Sequence, residues 1–410
     1  MQYLFALTLL LAPTYAIRFS LFGLPANLLL VWIFVLWTIF AAWLIYSRRI
    51  NSFKVWLLSE LSTKYLVLST VFLIAGISSL FVGGISQEKL GQFIVLFLQP
   101  IGTFIILRYL HTIGNWKLPV RHSFSNGGEI GNLLIQTALL FVSVAGIYAI
   151  IQYFTLIGVP QAWWGNSEEP KRAVSFFLHP NFYALFVTPL LAFLIPVVSG
   201  QWSVARKGLK LELLTTFAWL VGVVGLFLSL SRGGWLGLLF ATIAYLILAG
   251  NRKLVRLALV AGAVAVLVII AVPNFRYRLL LPFRGEKSSV ARFSLWQTGW
   301  KMVEDAPLMG KGLLGFSNNW YRYNTDQQLE HYPAPHNIAL NFWADTGLLG
   351  LLSFFGLLFL AIWRGIKNRT NIYQLGLALA CIALITHGLI DIPYFKGDLA
   401  LVFWMLYAFL

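Results

Sequence analysis

A few short polar clusters interrupt a very apolar chain, and each holds side chains able to do chemistry. Ser231-Arg232-Gly233-Gly234 lies between two apolar runs joined by almost no loop. A guanidinium there offers paired donors to a phosphate, and Gly233 and Gly234 would let a ligand approach the backbone. An interfacial arginine that snorkels toward the headgroups is the plainer account of Arg232. Lys171 and Arg172 precede Ser175, His179, Pro180 and Asn181. Pro180-Asn181 reads as a helix start with Asn181 as its cap, and the two basic residues as ordinary flanks or a second phosphate contact. Arg292 opens an amphipathic stretch, as a solvated helix residue or a functional one.

His336-Asn337 follow Tyr332-Pro333-Ala334-Pro335, whose prolines stiffen the approach and set His336 at the start of the next helix. Imidazole titrates near working pH, so a histidine at a membrane boundary is either structural or a general base. Asp345, nine residues on, is a partner for it or a polar helix residue. His387 and Asp391 stand at i and i+4, which predicts one face of a helix end, beside Lys396-Gly397-Asp398. An ion pair tying down the turn fits them, as does a carboxylate that orients the base or binds a hydroxyl. No HEXXH zinc site, P-loop, GxSxG elbow or dinucleotide fingerprint occurs, and the histidines lack zinc spacing. No cofactor or metal is called for.

The elements that must position these residues are membrane helices. Of 410 residues 59% are hydrophobic, 16% aromatic and 11% charged, against roughly 25% charged in soluble domains. Mean hydropathy is +0.79. A stand-alone soluble domain and a disordered chain are both excluded. The one cysteine, Cys381, allows no intramolecular disulfide. About 20 apolar residues span a bilayer as a helix. Such runs lie near 4–17, 27–46, 65–82, 92–110, 132–157, 181–199, 212–230, 234–249, 254–272, 338–363, 371–390 and 398–410. The chain is therefore expected to be one integral membrane domain over 1–410, all-α, with about 12 transmembrane helices. The first run has no basic residue before Arg18, so it lacks the n-region of a signal peptide. Segment 273–337 is a long loop expected to be ordered and partly helical, with Phe293, Trp296, Trp300 and Val303 at the spacing of an amphipathic helix lying at the membrane face. Loop 158–180 is shorter and rich in Trp and charge.

Charge assigns the sides. The net charge is +16, from 30 Lys+Arg and 14 Asp+Glu. One set of alternate loops carries 16 Lys+Arg; the other carries 6 once the long segment 273–337, with its 8, is set aside. Positive residues collect inside, and long loops translocate regardless of charge. The N-terminus is expected in the cytoplasm, with 158–180 and 273–337 outside. Most of the excess charge is then an orientation signal and implies no nucleic acid. Helices near 65–82, 181–199 and 234–249 contain no Asp, Glu, Lys, Arg or His. An ion-coupled carrier usually needs acidic residues at the midplane and broken helices in two matching halves.

These polar positions resemble the O-antigen ligase/polymerase family of bacterial membrane glycosyltransferases. The resemblance rests on Ser231-Arg232-Gly233-Gly234, on Arg292…Trp296 leading to Pro307, Gly310 and Gly312, and on His336-Asn337 followed after nine residues by Gly347-x-x-Gly350. Arg172…Pro180-Asn181 and His387…Asp391 complete it over about 160–400. Trp296 stands where the ligase branch typically has Leu, which leaves ligase and polymerase both open. The resemblance implies a GT-C-like multi-pass fold whose active site lies between the membrane and a large outer loop. It implies a glycan donor on undecaprenyl diphosphate and metal-independent transfer to an acceptor hydroxyl at the outer face of the cytoplasmic (inner) membrane. Acceptors would be a glycolipid, a glycan or a protein. Arg232 and Arg292 would bind the diphosphate, with Arg172 in the same role. His336 would activate the acceptor hydroxyl and Asp391 would support the site. Lys171, Asn181, Asn337 and His387 are the further substrate-binding positions. Direct displacement with inversion is the expected chemistry. The alternatives are a transporter or permease of a small solute such as inorganic carbon, and a non-catalytic membrane scaffold.

Overall fold

In the computed structural model the chain is described over residues 2–21, 24–115, 128–166, 169–201, 209–280, 287–324, 326 and 329–410. Lys117, Arg121, Arg206, Lys207, Arg284, Glu168 and Glu286, which enter the charge count, lie outside the described residues.

The described chain is helical with one small hairpin. In order it forms α1 (Gln2–Leu11), the strands β1 (Arg18–Leu21) and β2 (Leu24–Asn27), α2 (Leu28–Tyr46), α3 (Ile50–Glu60), α4 (Lys64–Phe81), α5 (Gln87–Phe93) and α6 (Gln99–Asn115). Then come α7 (Gly128–Thr155), α8 (Pro180–Pro196), α9 (Leu209–Leu228), α10 (Arg232–Ala249), α11 (Arg252–Ala271), α12 (Pro273–Leu280) and α13 (Lys287–Asp305). Two single turns, α14 (Gly315–Asn318) and α15 (Trp320–Tyr323), lead to α16 (Ile338–Lys367), α17 (Ile372–Gly388) and α18 (Gly397–Tyr407).

Every one of the twelve apolar runs is helical. Without water to bond, a backbone at membrane depth must satisfy its own N–H and C=O groups, and the helix does so within one segment. Seven helices among the described residues are long and apolar enough to cross a bilayer, or eight if the pair Gly262–Ala271 and Pro273–Leu280, bent by 93°, is one broken span. Tyr3–Ala16, Glu212–Leu228, Ile372–Gly388 and Gly397–Tyr407 are apolar but shorter. The polytopic all-α class holds; among the described residues seven to eight of the twelve expected spans are long and apolar enough to cross, and four are shorter helices whose crossing length and composition do not decide. The hairpin pairing Arg18 with Asn27 through Leu21 with Leu24 was not foreseen.

The chain divides into two compact units. The first holds residues 1–137, 294–367 and 388–410, and the second 138–293 and 368–387. In the first, α4 and α16 pack along each other, and α6 packs on α18. Phe72, Phe97, Phe342, Phe354, Tyr394 and Trp404 interlock there by ring contacts. In the second, α8 is buried along its length between α9 and α10. Close packing by small residues replaces the hydrophobic driving force that lipid cannot supply. Gly234 shows this: an added Cβ would meet Thr188 Oγ1 at 3.0 Å and Ala184 Cβ at 3.1 Å. That corrects the reading of Gly233 and Gly234 as room for a ligand, since both are buried and the space at Gly234 is filled by α8.

The long segment 273–337 is ordered where it is described. Its helix α13 turns Leu295, Met302 and Val303 into a small core with Phe316, Trp320 and Ala344. Of the stripe expected at the membrane face, Phe293 and Trp300 are exposed, while Val303 is buried in that core.

Candidate functional site

In the first unit, His336 and Asp391 come together across 55 residues of sequence, His336 Nδ1 lying 3.1 Å from Asp391 Oδ1. An ionised carboxylate only accepts, so Nδ1 donates and Nε2 is left as the nitrogen with a lone pair. The same Oδ1 also accepts from the backbone N–H of Ile392 at 2.9 Å. The imidazole is partly open to solvent, with 27% of its side chain exposed against 5% for Asp391. Tyr332 closes on the ring edge-to-face at 5.9 Å.

His336 itself sits in the left-handed backbone region, at φ 49°. Such a conformation is uncommon outside glycine and persists where surrounding contacts over-determine it. Those contacts are visible. Asn337 Oδ1 accepts from the N–H of Leu340 at 3.0 Å and so caps α16. Its Nδ2 donates to the Leu389 carbonyl at 3.1 Å, tying the start of α16 to the turn that carries Asp391. Asn337, expected at the substrate, is thus engaged in fixing the histidine.

The helix α17 ends at Gly388, so Asp391 lies in the turn that follows and not on a helix face with His387. His387 is buried in the last turn of α17, in the second unit. Asp345, weighed as a partner for the histidine, is a structural staple. Its Oδ1 accepts from the Phe316 N–H at 2.8 Å and its Oδ2 from Asn341 Nδ2 at 3.1 Å.

The glycines downstream of His336 have a backbone reason. Gly347 breaks α16 at φ 67°, ψ −171°. An added Cβ there would strike the Leu308 carbonyl, and one at Gly310 (φ 68°) would meet Gly347 N at 2.7 Å. Lys311 N donates to the Ala344 carbonyl at 2.6 Å, and Leu348 N to those of Pro307 and Leu308 at 3.2 and 3.1 Å. Segment 307–312 and the break in α16 are therefore locked backbone to backbone. At the edge of this segment Lys311 pairs with Asp305, which also accepts from Tyr323. Those two hydrogen bonds hold the Asp305 carboxyl below its ordinary range.

In the second unit, arginines converge on the short link 229–231 between α9 and α10. Arg172 Nε donates to the Ser229 carbonyl at 2.9 Å, and Arg278 Nε to the Leu230 carbonyl at 3.2 Å. Leu230 is left-handed at φ 53°. Arg232 opens α10 and places NH1 3.5 Å from the Arg278 carbonyl. Positive groups suit this place, because the C-terminal end of α9 carries unpaired carbonyls and the negative pole of its dipole. Arg172 and Arg278 are buried and Arg232 half-buried.

Loop 158–180 holds Arg172 in place. Gln152 accepts from the N–H groups of Val174 and Ser175 at 3.1 and 2.6 Å. Arg172 NH2 donates to Asn181 Oδ1 at 2.8 Å, and its guanidinium lies 5.4 Å over the Trp163 ring. The cap of α8 is His179, whose Nδ1 accepts from the Asn181 N–H at 3.0 Å, and not Asn181 as expected. Lys171 turns away to lie 4.7 Å over Tyr153. Arg292 is half-buried in α13.

Arg278 was missed by sequence reasoning. It sits in a long segment read as an outward loop, 46 residues past Arg232, and nothing local marks it. Its signal is the short helix α12, which Asn274 docks by donating to Tyr153 Oη at 2.9 Å. Among the described residues no group of three His, Cys, Asp or Glu gathers that could hold a metal ion.

Residues 217–355, which include Arg232, Arg278, Arg292 and His336, match the family model of the O-antigen ligase. Through this segment the chain is similar to the O-antigen ligase family. An O-antigen ligase of Salmonella typhimurium is 27% identical over 176 residues, covering 40% of this chain and 42% of that protein. An uncharacterized protein of Haemophilus influenzae is 26% identical over 212 residues, covering 47% and 53%. The match thus spans about half the length of these curated relatives. The O-antigen ligase family segment ends before Asp391 and begins after Arg172.

Proposed function

We propose that this protein is a membrane glycosyltransferase that moves a glycan from undecaprenyl diphosphate to an acceptor hydroxyl at the outer face of the cytoplasmic membrane. The observation that carries this reading is the His336–Asp391 pair at 3.1 Å, on a backbone held left-handed at the histidine, in a chain whose residues 217–355 match the O-antigen ligase model. A carboxylate on Nδ1 fixes the tautomer in which Nε2 accepts a proton.

The step is a single displacement. The acceptor oxygen bonds to the anomeric carbon while the bond from that carbon to the diphosphate oxygen breaks. The hydroxyl proton goes to His336 Nε2, and the diphosphate leaves with the electron pair. The configuration inverts. The leaving group needs its developing charge neutralised, and pre-set guanidinium groups do this well in a site of low dielectric. Arg232, Arg278 and Arg292 take that part, with Arg172 and Asn181 shaping the turn beside them. No metal enters. Lys171, Asn337 and His387 act in this scheme as supports and not as substrate contacts.

Transport of a small solute is not favoured. The polar residues that organise both units lie in links and helix ends such as 229–232, 336–337 and 389–396, whereas a carrier's coupling groups belong at the midplane. The test is transfer by purified protein from an undecaprenyl-diphosphate oligosaccharide, with lipopolysaccharide core, free glycan and a serine-rich peptide offered as acceptors. One acceptor should gain the glycan with inverted anomeric configuration, in the presence of EDTA. Retention would contradict the single displacement. Failure of all acceptors, with cell-surface glycans unchanged on deletion, would contradict the enzyme.

A further inference from the structure

The helix α16 begins beside His336 and ends at Lys367, and glycan transfer makes no use of its far end. There it packs along α4, which begins at Lys64. The two helices meet closely: a Cβ added at Gly356 would lie 3.3 Å from the Leu68 side chain. Lys64 and Lys367 are thereby brought to one indole. Lys64 Nζ lies 6.0 Å and Lys367 Nζ 5.1 Å from the centroid of the Trp363 ring. Both lysines are exposed, and so is 43% of Trp363. An indole face attracts an ammonium, but two ammonium groups at one ring repel each other.

Among the described residues no ion pair includes either lysine. Glu60, the carboxylate four residues before Lys64, is already engaged. It accepts from Tyr65 Oη, and Arg108 Nε stands 4.0 Å from it. Arg108 also donates to Tyr65 Oη at 3.0 Å. Arg364, one residue after the indole, donates to the Leu410 carbonyl at 3.0 Å and lies 5.5 Å over the Tyr65 ring. The inner charges at this end are thus satisfied and the two lysines are not. Lys64 moreover opens α4, where a cation adds to the positive pole of the helix. The surface next to the lysines is apolar: Val67 and Ile74 of α4, and Phe359 of α16 one turn from Trp363, are exposed. Tryptophan sits at headgroup level in a membrane, and acyl chains cover the apolar faces beside it.

We propose that Lys64, Lys367 and Trp363 form a binding site for the headgroup of an anionic phospholipid, whose acyl chains lie along α4 and α16. A phosphodiester between the two ammonium groups removes their repulsion and supplies the counter-charge that the chain itself lacks there. Basic pockets between membrane helices hold anionic headgroups in this way. Both lysines lie in loops expected inside, so the lipid is one of the inner leaflet. The site is independent of glycan transfer. The probe is phosphatidylglycerol, compared with zwitterionic phosphatidylcholine, added to the full-length protein in neutral detergent and read by native mass spectrometry. The wild type should retain phosphatidylglycerol in preference. Lys64→Gln with Lys367→Gln should weaken that retention about thirtyfold, and Lys64→Arg with Lys367→Arg should keep it. Lys54→Gln, at an exposed lysine of the same end, should leave it unchanged. The rise in melting temperature that phosphatidylglycerol gives the wild type should vanish in the double glutamine variant, whose melting without lipid stays that of the wild type. Equal retention of the two lipids, or an equal loss in Lys54→Gln, overturns the proposal. Inorganic phosphate raising the melting temperature as far as the lipid does would assign a free anion to the lysines and overturn it as well.

Discussion

At the scale of single residues, the chemistry concentrates where side chains are both held and partly open. His336 is fixed by a carboxylate, a capped helix start and a left-handed backbone, yet its ring stays accessible. Asp391→Asn keeps the shape but turns an acceptor into a group that can donate, so the wrong tautomer is favoured. Transfer should fall by about 10²–10⁴-fold, with thermal unfolding little changed, measured as initial rate and melting in detergent. Arg278→Ala should weaken donor use more than Arg278→Lys, read as a rise in the donor concentration needed for half-maximal rate. An equal loss in both variants would mean that bidentate geometry is irrelevant there. Most of these residues were legible in sequence because their types are rare in an apolar chain: Arg232, Arg292, His336 and Asp391 stood out on that ground. Arg278 did not, since a long polar segment carries many arginines and only the folded position of α12 brings this one to the Leu230 carbonyl.

At the scale of elements, the helices were readable and their ends and faces less so. Apolar length predicts a helix because lipid forces backbone bonds inward, and all twelve runs obey that rule. Hydrophobicity cannot tell a side chain facing a core from one facing lipid, so the stripe expected along α13 divides: Phe293 and Trp300 are exposed and Val303 is buried. Caps depend on side-chain geometry that a motif shows only in part, so His179 took the place given to Asn181. Removing that cap, His179→Ala, should cost about 1 kcal/mol of stability, seen as a lower melting temperature with transfer reduced only through folding. The break in α16 makes a sharper prediction. Gly347→Ala places a Cβ against the Leu308 carbonyl and forces a positive φ on alanine. It should destabilise by about 2 kcal/mol or more, checked by thermal unfolding. A silent Gly347→Ala would mean that segment 307–312 is free to move away from α16.

At the scale of the whole molecule, the charge pattern and the two compact units define what the chain must do in a membrane. Most of the +16 excess lies in the loops expected inside, and the orientation this predicts can be tested directly. The single cysteine, Cys381, is buried, which makes cysteine mapping direct. Tyr321 and Lys54 are both exposed. In intact cells Tyr321→Cys should react with a membrane-impermeant maleimide and Lys54→Cys should not until the cells are opened. The reverse pattern would invert the topology and move the His336 site to the cytoplasm. The number of spans was the least legible feature, because α9, α17 and α18 are apolar but short, and length alone does not say whether a short helix crosses. The central claim, that His336 is the base of a glycan transfer, is tested most directly by single-turnover transfer from undecaprenyl-diphosphate oligosaccharide with wild type and His336→Ala side by side. The predicted result is a rate lower by about 10²–10⁴-fold with donor binding retained; transfer by His336→Ala at the full wild-type rate would contradict it.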